Sequence, residues 1–149
     1  MSKTIWAIFA SFTLILTACS KSASPTYAPP VLEETWAVKM TLSGGIAGLL
    51  RTIDVNSTGS YSVADQRAGK VVTGTLSEVD LTTLQALISA LEVSAPKNPS
   101  ACADCFEYEL EIESGGKKMI ASADDLSLGE SGMGELVQFL RQTMDAALQ

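Results

Sequence analysis

Two cysteines separated by two residues are the first candidates for chemistry in this chain: Cys102-Ala103-Asp104-Cys105. A thioredoxin-like redox pair has its first cysteine at the start of a helix, where backbone dipoles lower the thiol pKa, whereas this pair precedes a predicted strand. A zinc site would need two further thiolate or imidazole ligands, and the chain has no histidine and only one other cysteine. We therefore predict a local disulfide between Cys102 and Cys105, which closes a small ring and adds modest stability.

A row of acidic side chains is the second candidate. Four glutamates alternate with apolar residues, so in a strand they share one face at steps of about 6.6 Å: Glu107, Glu109, Glu111 and Glu113. Calcium sites usually draw their oxygens from a looped backbone, which a flat strand does not provide. We interpret the row as a solvated sheet face balanced by Lys117 and Lys118, and Asp124 and Asp125 as turn residues. Without histidine the common serine and cysteine nucleophile systems are excluded, so we expect no enzyme activity, metal or cofactor.

A glycine-rich segment is the third candidate, and it runs over Ser43, Gly44, Gly45, Ile46, Ala47 and Gly48. A phosphate-binding loop needs a following helix or a closing Gly-Lys-Ser or Gly-Lys-Thr motif, and the segment has neither. Three glycines in five residues let the backbone turn freely or let another group approach it closely. Both interpretations, an ordinary hairpin and a contact surface, remain open from the residues alone.

The N-terminus predicts the location of the protein. Lys3 precedes an apolar run, residues 5–16, which is shorter than the roughly 20 residues that span a bilayer. The run ends in Leu16-Thr17-Ala18-Cys19, which resembles the bacterial lipobox. That resemblance implies a signal peptide over residues 1–18 and a diacylglycerol on Cys19. An uncleaved N-terminal anchor, or a buried apolar segment with a chance cysteine, is the alternative. We expect lipid anchoring at the cell membrane or outer membrane, outside the cytoplasm.

Composition limits the partners of this chain. It has 17 acidic and 10 basic residues in 149, a formal net charge of −7. Nucleic acid is excluded as an expected partner because phosphate binding needs a basic face. Residues 19–31 are rich in serine and proline and predict a flexible linker. Residues 32–149 are enough for one domain with one hydrophobic core.

The apolar pattern predicts the elements of that domain. Alternation predicts strands at about 36–42, 49–55, 61–63 and 72–76, and later at 106–113 and 117–122. Helical spacing predicts two helices, the first with Ser77 or Asp80 as cap and the second beginning near Gly132. Their apolar stripes are Leu81, Leu84, Leu87, Ile88 and Leu91, and Leu136, Val137, Leu140, Met144 and Ala147. We expect an α+β fold of ββββαββα order, with a mostly antiparallel sheet of about six strands and two helices on one face.

The hexapeptide at 43–48, after a first strand and followed by Arg51, resembles the Ser-Gly-Gly-Phe-Ala-Gly signature of the emfourin family. The order of elements over about residues 35–148 is also similar to that family. Emfourins inhibit thermolysin-like zinc metallopeptidases, so the resemblance implies a membrane-held inhibitor whose partner-binding residues lie at 43–48 and Arg51. This chain departs from the pattern at Ile46, where phenylalanine is usual, at the added cysteine pair and at the lipoprotein signal.

Three other functions stay open from the sequence. An envelope interaction or assembly lipoprotein would bind another protein through its sheet face without inhibiting it. Small-ligand binding would use aromatic walls, for which Trp36, Tyr61 and Tyr108 are candidates, although each also fits a core position. Enzyme activity is least favoured because no nucleophile, base or metal set is present. A charge introduced at Ile46 discriminates between an inhibitor and a scaffold that binds elsewhere.

Overall fold

A computed structural model describes residues 26–95 and 102–149 of the chain. The predicted signal peptide, Cys19 and the first part of the linker lie outside the described residues. The strands are β1 (Thr26–Tyr27), β2 (Trp36–Gly44), β3 (Leu49–Asn56), β4 (Ser60–Asp65), β5 (Lys70–Thr75), β6 (Val93–Ser94), β7 (Phe106–Ser114) and β8 (Lys117–Asp124). The helices are α1 (Glu78–Ser89), α2 (Leu128–Ser131) and α3 (Gly134–Leu148).

Six strands form one antiparallel sheet in the order β5-β4-β3-β2-β7-β8. Strands β2 to β5 form a meander, and the β7–β8 hairpin pairs with the other side of β2. This makes β2 a central strand that pairs with β3 on one side and β7 on the other. The predicted α+β class and the predicted order of strands and helices are confirmed.

One face of the sheet carries the core because apolar residues alternate along its strands. The buried positions on that face include Trp36, Val38, Met40, Leu42, Ile53, Val55, Val63, Tyr108, Leu110 and Ile112. The apolar stripes of α1 and α3 enter the same cluster through Leu84, Ile88, Leu136, Val137, Leu140 and Met144. Trp36 and Tyr108 are buried and Tyr61 is half-buried against the core, so all three aromatic residues contribute to packing.

The start of α1 follows from its first residues. Ser77 is the N-cap, and its hydroxyl oxygen accepts a hydrogen bond from the backbone N–H of Asp80 at 3.1 Å. Glu78 and Asp80 place negative charge in the first turn, where it is favourable toward the helix dipole. Of the two caps that the sequence allowed, Ser77 and Asp80, the structure has Ser77.

Three short elements were not predicted. Thr26–Tyr27 pairs antiparallel with Val93–Ser94, so the linker predicted over residues 19–31 contributes two residues to the fold. The single-turn helix α2 precedes α3, which begins at Gly134, within two residues of the predicted start near Gly132. Elements of two to four residues are too short to show a hydrophobic period. No helix in residues 26–95 and 102–149 has the length and apolar character needed to cross a bilayer.

Candidate protein-binding site

The glycine-rich segment forms the tip of the β2–β3 hairpin. Gly44 and Leu49 are the last register partners, and residues 45–48 make the turn between them. The backbone N–H of Gly48 donates to the carbonyl oxygen of Gly45 at 2.8 Å, which closes a β-turn. Ser43 is half-buried at the end of β2, where its register partners are Leu50 and Glu107.

Gly44 and Gly45 are required here because the chain approaches the start of β7 closely. Their φ angles are +89° and +67°, in the region that favours glycine. A Cβ at Gly44 would lie 2.5 Å from the carbonyl oxygen of Cys105, and one at Gly45 would lie 2.5 Å from the Phe106 ring. The N–H of Gly45 also donates to the Cys105 carbonyl at 3.0 Å. The hairpin tip is therefore fixed against the segment that precedes β7.

Ile46 projects from this fixed turn into solvent. It is 93% exposed, the largest value among the exposed large hydrophobic residues of the described part of the chain. Ala47 beside it is also exposed. From the sequence we expected a backbone that turns freely around Ile46. The structure shows that hydrogen bonds of Gly45 and Gly48 hold this backbone in place. An exposed apolar side chain on a rigid turn is suited to insertion into a partner's pocket.

The disulfide joins Cys102 and Cys105, whose Cα atoms are 5.5 Å apart. It closes the loop that lies directly against Gly44 and Gly45. The sequence predicted the pairing of the two cysteines, but it carried no signal that their loop would abut the glycine-rich turn. That proximity depends on β2 and β7 pairing, a contact between segments about 60 residues apart.

A second set of contacts holds this end of β7 against α3. The Phe106 N–H and the Tyr108 hydroxyl each donate to the Asp125 carboxylate, both at 2.9 Å. Arg141 donates to the Tyr108 oxygen at 3.1 Å, and its guanidinium lies 5.7 Å from the Phe106 ring centroid. Burial and the hydrogen bond to Asp125 raise the pKa of Tyr108. The sequence predicted that Asp125 is a turn residue, but no local pattern indicated that its carboxylate holds the start of β7.

Arg51 lies in β3 opposite Leu42, two residues from the last register pair before the turn. Its Nε donates to Asp65 Oδ2 at 2.8 Å and its Nη1 to Asp145 Oδ1 at 3.4 Å, so it joins β3 to β4 and α3. The guanidinium is therefore occupied by two carboxylates of the same domain. Arg67, which the sequence did not single out, lies closer to the turn and donates to the Gly48 carbonyl oxygen at 3.1 Å.

The predicted glutamate row lies on the face of the sheet opposite the core. Lys118 bonds Glu111 at 2.7 Å and lies 3.9 Å from Glu113, and these pairs raise the pKa of Lys118. Lys39 is the register partner of both Asp54 and Glu111. Within the described ranges, no group of three or more cysteine or acidic side chains is arranged to hold a metal ion. The row therefore has the charge pairing of a solvated sheet face.

Comparisons with known proteins leave the family open. No protein-family model matches this sequence. No curated protein matches it significantly. The resemblance to emfourins accordingly rests on the hexapeptide at 43–48 and on the order of the elements.

Proposed function

We propose that this chain is a membrane-anchored lipoprotein whose domain binds another protein through the tip of the β2–β3 hairpin. The partner we propose is a thermolysin-like metallopeptidase, which the bound domain inhibits. The observation that carries the proposal is the near-complete exposure of Ile46 on a turn whose backbone is bonded to the disulfide loop.

The energetics favour this mode of binding. Burying one isoleucine side chain in a partner's apolar pocket contributes about 1.5–3 kcal/mol. Ordering a flexible loop on binding would offset part of that gain, but the hydrogen bonds of Gly45 and Gly48 already order this turn. A convex, rigid tip of this kind matches a concave cleft that accepts bulky apolar side chains. Rigidity also disfavours cleavage, because a bound segment must deform to reach the reaction geometry.

The lipid anchor is proposed from the signal sequence and Cys19. Six residues separate Cys19 from Thr26, so the distance between the two is at most about 25 Å. A domain tethered at that distance acts on partners at or near the same membrane surface.

Inhibition kinetics test the proposal. The full chain, purified in detergent, is added to several thermolysin-like metallopeptidases, and the inhibition constant is measured with a peptide substrate. We expect inhibition by the unmodified chain and at least a tenfold higher constant for Ile46→Asp, because a charged side chain replaces the buried apolar one.

The matched control is Val79→Asp, which introduces the same charge at another exposed apolar residue, 75% exposed in the first turn of α1. This variant should inhibit as well as the unmodified chain. Absence of inhibition at micromolar concentration across all the peptidases tested would refute the assignment. Equal inhibition by Ile46→Asp would refute the role of the hairpin tip.

A further inference from the structure

A second apolar side chain is exposed at the same end of the sheet as Ile46. Leu126 follows β8 and is 71% exposed. Its backbone is ordered: the Leu126 N–H donates to Asp124 Oδ1 at 3.1 Å, and the Ser127 N–H donates to the Asp124 carbonyl oxygen at 3.1 Å. Like Ile46, Leu126 is therefore an exposed apolar side chain on a turn whose backbone is hydrogen-bonded.

Backbone contacts place the two turns side by side. Gly44 is the register partner of Phe106, and the Phe106 carbonyl oxygen accepts from the Asp125 N–H at 3.2 Å. The Phe106 N–H in turn donates to Asp125 Oδ2. The ends of β2, β7 and β8 thus form one continuous row, with the disulfide loop in the middle. Neighbouring strands are about 4.8 Å apart, so β2 and β8, which flank β7, are about 10 Å apart.

We propose that Leu126 is a second partner contact and that Ile46, the disulfide loop and Leu126 form one binding surface. This inference rests on the proposed function and defines its partner more closely. The partner is a protein with an extended cleft that has one apolar pocket for Ile46 and a second for Leu126. The exposed carboxylate of Asp104 lies in the loop between them, so the wall between the pockets is not acidic.

The other exposed large apolar residues of the described chain do not join this surface. Val71 and Ile120 lie on the open face of the sheet, Val79 lies on α1, and Tyr27 and Val31 lie before β2. Leu126 directly follows Asp125, which exchanges hydrogen bonds with Phe106 beside Gly44 and Gly45.

The test uses the full chain in detergent and a metallopeptidase that the unmodified chain inhibits. We expect Leu126→Asp to raise the inhibition constant at least tenfold and Leu126→Ala to raise it by a smaller factor, since alanine removes contact area without adding charge. The Val79→Asp control should change it less than twofold. Thermal unfolding should be the same in all variants because each altered side chain is exposed.

The outcomes separate this inference from the proposed function. If Ile46→Asp abolishes inhibition and Leu126→Asp behaves like Val79→Asp, the second contact is refuted and the inhibitory hairpin stands. If the unmodified chain inhibits no peptidase, the proposed function is refuted and this inference falls with it. A loss of inhibition in Leu126→Asp accompanied by loss of folded structure, with Leu126→Ala fully active, would also refute the second contact.

Discussion

Replacement of Gly44 by alanine tests the structural basis of the hairpin tip. The residue has a φ of +89°, and its new Cβ would lie 2.5 Å from the Cys105 carbonyl oxygen. Holding a non-glycine residue in this region costs about 1–2 kcal/mol. To relieve the contact, the Cys105 carbonyl must move, which weakens the hydrogen bond that it accepts from the Gly45 N–H. The weakened hydrogen bond costs about 0.5–1.5 kcal/mol more. We expect Gly44→Ala to lower the free energy of unfolding by about 1.5–3.5 kcal/mol.

The matched control for this experiment is Gly69→Ala. Gly69 also has a positive φ, +63°, but a Cβ there would meet nothing within 4 Å. It should therefore show only the conformational cost of about 1–2 kcal/mol. Urea titration followed by far-UV circular dichroism gives both values. A Gly44→Ala variant no less stable than Gly69→Ala would refute the argument that close approach to Cys105 fixes the hairpin.

Three other perturbations have defined outcomes. Reducing the disulfide, or replacing Cys102 and Cys105 by serine, should lower stability by about 2 kcal/mol and weaken inhibition; unchanged inhibition would contradict the supporting role of the loop. The backbone N–H of Ala68 and the Arg51 side chain lower the pKa of Asp65 from 3.8, so its stabilisation is complete above pH 3.8 and is lost as the pH falls through the lowered pKa. Asp65→Asn should be less stable at neutral pH and should lose less stability in acid, whereas parallel pH profiles of unfolding free energy would refute this. Cys19→Ser should move the protein from the detergent to the aqueous phase in phase partitioning, and unchanged partitioning would argue against a lipid anchor.

The strands of the domain were predictable because their patterns are local and regular. The alternation from Phe106 to Glu113 places apolar residues in the core and glutamates on the open face, as the structure has them. The helix cap at Ser77 was also local, since a cap needs only its own first turn. Each of these features can be read within about ten residues of sequence.

The arrangement of the candidate site was not predictable in the same way. The proximity of the glycine-rich turn to the disulfide loop depends on β7 pairing with β2, the opposite side of β2 from the rest of the meander. Strand order of this kind is decided by the packing of the whole sheet. The ion pair between Arg51 and Asp145 likewise joins residues 94 positions apart, so no local pattern indicates that Arg51 is engaged within the domain.

The proposed partner contact through Leu126 could not be predicted from the sequence either. A single leucine in a polar turn is common at protein surfaces and carries no signal by itself. Its relevance comes from the hydrogen bonds between Phe106 and Asp125, which place it beside the hairpin.

In the proposed complex, the hairpin tip occupies the substrate cleft of the peptidase. The most direct measurement is the affinity of the chain for a thermolysin-like metallopeptidase, determined by calorimetry with and without a small active-site inhibitor bound to the peptidase. We predict that the small inhibitor excludes the chain, so that the apparent affinity falls in proportion to the fraction of peptidase occupied. Equal affinity for the free and the occupied peptidase would contradict it.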